Sequence, residues 1–233
     1  MCGRLTFYHN KNELSSSICN LDLPFDLPKE YNLAPSSLIL TIHLYQGELR
    51  LIPKRWGLIP HWSKDPLSHK NTFNARIESV TEKPTFRTAF KHHRCIIPVS
   101  GYFEWATKGK EKIPYYIKDR TNRPLLLAGI WDEYDREDEI IQSCSILTTV
   151  SSNPLSEIHP RMPILLNKNQ IIDWIDPTIQ IPFKKFPWLK SQQNPYLDFH
   201  RVSKNVNSVQ YQEEDTVDKI QVDPSHQQIE FNF

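Results

Sequence analysis

No charge of either sign predominates in this sequence: 28 Lys and Arg face 27 Asp and Glu, for a net charge of +1. A chain that holds duplex nucleic acid across a broad face usually carries a basic excess, so any nucleic-acid contact here must be a local patch. Cysteines are few, at positions 2, 19, 95 and 144, and no two form a C-x-x-C pair. That spacing argues against a zinc framework, and no metal or organic cofactor is expected. The N-terminal region lacks the apolar stretch of a signal peptide. The longest apolar run, Leu125–Trp131, is far too short to span a bilayer. No internal repeat is visible. These absences together point to a soluble protein of a reducing compartment, expected to be cytoplasmic.

What is present argues for a packed core. The chain has 233 residues, enough for one large domain or two small ones, with 6 Trp, 9 Tyr and 11 Phe. A compact chain of this size buries roughly 70–75% of its unfolded surface. Short runs rich in Ile, Leu and Tyr read as strands at Leu38–Leu44, Leu49–Pro53, Cys95–Val99, Tyr115–Lys118, Leu125–Trp131 and Ile140–Val150. Thr85–His93, after Pro84, and Lys168–Ile175 read as short helices. Strands with a few helices between them predict an α+β fold with a mainly antiparallel, barrel-like sheet. Pro177, Pro182, Pro187 and Pro195 mark an irregular surface segment. Residues 1–211 are expected to form the domain and residues 212–233 a polar C-terminal tail, of which the acidic 212–228 read as mobile. The basic stretch Lys83–Arg94 reads either as a solvated helix face or as a nucleic-acid patch.

The N-terminus begins Met1-Cys2-Gly3-Arg4. A small second residue permits removal of the initiator methionine, which would leave Cys2 with a free α-amine beside its thiol. An α-amine with a pKa of about 7.7–8.0 is partly neutral at pH 7. A neutral amine attacks aldehydes to form an imine, and the neighbouring thiol can then close a five-membered thiazolidine ring. Closure is intramolecular and gains from effective molarity. Taken alone, Cys2 can equally be an incidental residue at a freely varying position. Cys19, Cys95 and Cys144 sit in or near apolar runs and read as packing residues.

Further blocks stand along the chain: Tyr31–Pro35, Arg55–Trp62, Phe73–Glu78, Arg94–Trp105, Leu147–Thr149 leading to Ile158–Pro163, and Val202–Asn207. With Met1–Arg4 they resemble, in order and over roughly nine-tenths of the chain, the SRAP family of SOS-response-associated peptidases or abasic-site processing proteins. The resemblance implies recognition of abasic sites in single-stranded DNA and a thiazolidine between the N-terminal cysteine and the ring-opened sugar. It places the nucleophile at Cys2, the active-site asparagine at Asn74, the glutamate at Glu104 and the histidine at His159. One departure is Pro160, where similar proteins commonly carry an acidic residue after the histidine; proline removes a backbone donor at that point.

The chemistry suits these residue types. An abasic sugar is mostly a closed hemiacetal, and opening it calls for an acid/base group such as His159. Glu104, between Phe103 and Trp105, is expected to be desolvated, with a raised pKa, and to shuttle protons. Asn74 both donates and accepts, so it can orient the Cys2 amine or a sugar oxygen. Arg4, Arg76 and Arg161 are expected to bind the phosphates flanking the lesion, with hydroxyl contacts from Thr149 and Ser151. Trp56, Trp62 and Trp105 are candidates for base stacking or for the core. Two other functions stay open: a cysteine peptidase or amidohydrolase pairing Cys2 with His159, and a non-covalent reader of single-stranded DNA. At the C-terminus, Gln228–Phe233 places apolar residues at alternate positions after a glutamine. It reads as a terminal strand or as a peptide for the replication sliding clamp.

Overall fold

A computed structural model describes residues 2–18, 21, 23, 25–65, 71–136, 139–179, 186–190, 192 and 196–221. In chain order it contains β1 (Leu5–Phe7), α1 (Lys11–Ser17), β2 (Glu30–Leu33), β3 (Leu38–Tyr45), β4 (Glu48–Trp56) and β5 (Asn74–Arg76). Next come α2 (Pro84–His92), β6 (Arg94–Val99), β7 (Gly101–Lys108), β8 (Glu111–Asp119), β9 (Leu125–Arg136) and β10 (Glu139–Val150). The last are β11 (Arg161–Pro163), α3 (Ile171–Ile175) and β12 (Leu197–Arg201). The α+β, mainly antiparallel, barrel-like expectation holds.

One sheet closes on itself. Strands β4, β3, β6 and β9 pair antiparallel in turn, β9 pairs antiparallel with β10, and β10 returns to β4 in parallel, Cys144 opposite Trp56. Closure removes the exposed edges of these five strands. Short β5 and β11 flank the far end of β10, parallel and antiparallel respectively. A second sheet, antiparallel throughout, runs β12-β8-β7-β1-β2.

Side-chain alternation divides the ring strands. Ile96, Ala128, Ile130 and Leu147 pack with Phe86 and Phe90 of α2 and Trp174 of α3. The helices cover the outer face, so the other set, Trp56, Cys95, Ile97, Leu127, Cys144 and Ile146, faces inward. Every residue of β6 is buried, which explains why Cys95–Val99 reads as a continuous apolar run rather than an alternating one.

Helix α2 begins on Pro84 and buries Phe86, Ala89 and Phe90. Of its basic stretch, Lys83, Arg87, Lys91 and His92 are exposed, but Arg94 is buried. The Arg94 guanidinium donates to the carbonyls of Trp174 at 2.6 Å and Lys91 at 2.6 Å, and also to Asp176 O. It thus ties the ends of α2 and α3 together.

Residues 202–221 lie against the second sheet. Val202, Val206 and Thr216 are buried there, His200 Nε2 meets Val217 O at 2.8 Å, and Ile220 N donates to Arg201 O at 3.1 Å. Residues 212–221, which the sequence suggested as the start of a mobile tail, are therefore packed on the body. The Gln228–Phe233 motif lies outside the described residues. No helix among the described residues is long and apolar enough to cross a membrane.

Gly101 opens β7 where the chain leaves the closed ring. A Cβ there would lie 2.4 Å from Cζ and Oη of the buried Tyr116. Gly101→Ala should therefore lower stability by about 1–3 kcal/mol. Urea unfolding of wild type and variant measures this, and equal midpoints would refute the close contact.

Candidate active site

The second sheet carries the N-terminus into the interior. Leu5 pairs with Tyr102 and Thr6 with Gly101, and Phe103 N donates to Arg4 O at 3.0 Å. This register draws Cys2 inside: it is 0% exposed and packs in the same cluster as Leu5, Trp56, Tyr102 and Ile158.

Asn74 arrives from the other sheet, at the start of β5 and opposite Ile146 of β10. The preceding carbonyl, Phe73 O, is held by Trp56 Nε1 at 2.9 Å and Ile146 N at 3.0 Å. Asn74 Nδ2 then donates to Cys2 O at 2.6 Å. Its Oδ1 is buried and has no hydrogen-bond partner among the described residues. A buried acceptor in that state is uncommon and marks a place where a donor would be welcome.

Glu104 stands in the middle of β7, 4% exposed. Burial pushes its carboxyl up to about 7, so near neutral pH it is close to half-ionised. His159 Nδ1 lies 3.7 Å from Glu104 Oε1. That ring follows a single 3-10 turn, Leu155–Glu157. Its Nδ1 is also 3.0 Å from Arg161 O and 3.1 Å from Arg161 N, so one tautomer donates to the carbonyl and the other accepts from the amide. Burial lowers the His159 pKa, favouring the neutral ring that can take either role. The His159 side chain is 24% exposed against 5% for Glu104, so the imidazole is the more solvent-accessible of the two. Pro160 costs nothing here: the amide that meets His159 is Arg161's, and Pro160 O accepts from Ser151 N at 3.0 Å.

The Cys2 thiol is pushed well above its usual range, first by burial and then by the charge of Glu104. It stays protonated at neutral pH. The arrangement brings together a thiol, a half-ionised carboxyl, a neutral imidazole and a carboxamide, which is a set for moving protons around a nucleophile. Among the described residues, no three His, Cys, Asp or Glu side chains converge as a metal-binding set.

The outer residues are disposed differently. Arg76 is exposed. The Arg161 fork grips Glu78 at 2.6 and 3.0 Å and donates to Thr148 O at 2.7 Å. Arg4 is engaged by Asn32 Oδ1 at 2.9 Å and Val206 O at 3.0 Å, an attachment to the 202–221 segment. Thr149 is buried in β10 opposite Met162, and Ser151 is buried just beyond its end. Trp56 is a core residue, 0% exposed. Trp105 is half-buried and donates to Asn207 Oδ1 at 2.8 Å. Trp62 is 48% exposed. Sequence reasoning passed over Asn32 and Glu78. Both lie within the motif blocks, but only the fold shows what they hold. The Asn32 carboxamide donates to the carbonyls of Val206, Ser208 and Tyr211 at 3.2, 2.9 and 3.0 Å.

The family model described as SOS response associated peptidase (SRAP) matches residues 1–209. The chain is 35% identical over 219 residues to the abasic site processing protein YoqW of Bacillus subtilis, covering 89% of this chain and 95% of that one. It is likewise 35% identical to the abasic site processing protein YoaM of the same organism, covering 89% of this chain and 93% of that one. In shape it is similar to a crystal structure of a Bacteroides thetaiotaomicron protein. The TM-score is 0.78 at 24% identity, covering 94% of this chain and all of that one.

The buried carboxyl has a measurable cost. Glu104 is neutral in both folded and unfolded chains below its ordinary value near 4.5; between there and about 7 only the unfolded chain ionises. Stability should therefore fall by about 3 kcal/mol as pH rises through that window. Glu104→Gln should remove this slope and unfold at higher denaturant than wild type at pH 8, but not at pH 4. Parallel stability–pH curves for the two proteins would contradict the raised value.

Proposed function

The chain belongs to the SOS response associated peptidase (SRAP) family, and on that footing we propose that it processes abasic sites in single-stranded DNA by bonding them covalently through Cys2 after loss of Met1. The observation that carries this reading is the placement of Asn74 on the Cys2 carbonyl, at 2.6 Å, of buried Glu104 close enough for its charge to act on the Cys2 thiol, and of His159 3.7 Å from Glu104.

The chemistry proceeds in balanced steps. An acid/base group opens the hemiacetal, moving a proton from the anomeric hydroxyl to the ring oxygen and exposing an aldehyde. The neutral Cys2 amine adds to the carbonyl carbon, and a water molecule leaves to form the imine. The thiol sulfur then adds to the imine carbon, its proton ending on the nitrogen, and the thiazolidine closes. Glu104 suits the proton transfers because a group with a pKa near the working pH both gives and takes readily. His159 suits proton exchange with solvent. Asn74 Oδ1 suits a hydrogen bond from the Cys2 amine.

The state of the thiol favours this order over a peptidase mechanism. A cysteine peptidase needs a thiolate before attack, and burial, the first cause acting on the Cys2 thiol, opposes that ionisation. In imine-first chemistry the thiol is needed only in the last step, when its proton can pass to a neighbouring base. We assign phosphate binding to Arg76 and Arg161 and base contact to the exposed Trp62; Thr149 and Ser151, expected from the sequence to add hydroxyl contacts, are buried and are assigned no direct contact. Arg4, tied to Asn32 and Val206, contributes there mainly by fixing the strand that carries Cys2.

Intact-mass spectrometry checks the reaction. Mature protein should lack the mass of Met1, and with an abasic oligonucleotide should give a denaturation-resistant adduct equal to the two masses less one water. Cys2→Ala should lose the stable adduct. Cys2→Ser, which like Cys2→Ala keeps the α-amine but not the thiol, should lose it while retaining imine-dependent strand cleavage. A wild-type yield of adduct from Cys2→Ala would refute the assignment. The Gln228–Phe233 motif, as a proposed clamp peptide, predicts that a chain cut at His226 captures less sliding clamp in a pull-down than the full chain does. Equal capture would end that proposal.

A further inference from the structure

One carboxylate stands within the field of the two arginines assigned to the DNA backbone. Glu78 lies two residues beyond Arg76 and is gripped by both terminal nitrogens of Arg161, at 2.6 and 3.0 Å. This is a bidentate fork of the kind an arginine offers to a phosphate. The partners are unequally exposed: Arg161 is 12% exposed and held from behind by Thr148 O at 2.7 Å and Thr148 Oγ1 at 3.2 Å, whereas the Glu78 side chain is 49% exposed. The guanidinium is the more enclosed half of the pair and the carboxylate the more exposed one. Burial would raise the Glu78 carboxyl, but the Arg161 fork and the charges of Arg161 and Arg76 outweigh it and hold the group below its ordinary value. Glu78 is therefore anionic at any working pH.

We propose that Glu78 is a built-in stand-in for a DNA phosphate, occupying the Arg161 fork until a backbone phosphate displaces it. The proposal rests on the reading of Arg161 as a phosphate ligand. Its consequence is specificity. Phosphates are the same on intact and damaged strands, so every strand meets the same competition and intact strands are released quickly. Retention then depends on the covalent step, which only an aldehyde can complete. The same carboxylate also offsets the charge of Arg76 and Arg161 in a chain whose net charge is +1, keeping the empty cleft from collecting other anions.

Binding of a labelled, undamaged single-stranded oligonucleotide, followed by anisotropy across a salt series, tests this without any chemistry. Glu78→Gln and Glu78→Ala should each bind roughly three- to fivefold tighter at low salt, the range of an exposed ion pair. Their salt dependence should steepen by up to about one released counterion. In an Arg161→Ala background, Glu78→Gln should give no tightening. Wild-type or weaker binding by both Glu78 variants, with Arg161→Ala clearly weakened, would overturn the stand-in role while leaving the phosphate reading intact. Equal tightening with and without Arg161 would reduce Glu78 to a general charge effect and also overturn the proposal. If Arg161→Ala binds as wild type, the phosphate reading itself fails, and the stand-in role with it.

Discussion

The short pairing of β1 with β7 is the constraint on which the site depends. Only Leu5–Tyr102 and Thr6–Gly101 register the two strands, yet this draws the chain's second residue to full burial beside Glu104. Two paired residues cannot hold a chain end unaided. The end is secured from outside by Arg4, which reaches Asn32 and the carbonyl of Val206, and by Asn32, which gathers that same carbonyl and two more of the 202–221 segment, Ser208 and Tyr211. Gly101 matters for the same reason: the close approach to Tyr116 lets β7 turn out of the closed ring at the residue that pairs with Thr6.

Burial then decides the electrostatics. The same exclusion of water raises Glu104 to about 7, keeps the Cys2 thiol protonated and lowers His159. Three groups that would be a carboxylate, a partly reactive thiol and a partly charged imidazole in water become a carboxyl close to half-ionised, a less acidic thiol and a more neutral imidazole. The fold bears a free-energy cost for this, because a carboxyl with a raised pKa destabilises the native state at neutral pH. That cost is carried by a closed ring with helices packed on its outer face. The outer cleft is run on the opposite logic. There the Arg161–Glu78 pair is partly solvated, an ion pair at the surface rather than a buried group with a shifted protonation state.

Much of the framework was legible in the residues because local chemistry wrote it there. Runs such as Leu38–Leu44 and Ile140–Val150 are strands, and Pro84 starts α2 as its rigid φ suggests. Other elements left little trace. α1 buries only Leu14 and Ser17, so no apolar stripe marks it; its Asn10–Glu13 capping box was the available signal. β7 is interrupted by Glu104 and reads as a motif rather than as a strand. The basic stretch at Lys83–Arg94 looked uniform, but one member, Arg94, is an internal clamp, because whether an arginine faces water depends on the carbonyl groups the fold presents to it.

Read by itself, the chain determined which reactive groups it owns, a cysteine at position 2 above all, and the alternation that commits most of it to sheet. It also carried the ordered motif blocks that mark the family. Tertiary structure alone decided what those groups are worth. Asn74 stands 72 residues from Cys2 and meets it at 2.6 Å because a parallel β5–β10 ladder in one sheet faces an antiparallel β1–β7 ladder in the other. Reactivity depends on desolvation and neighbouring charge, and these belong to the space around an atom, which residue order does not specify.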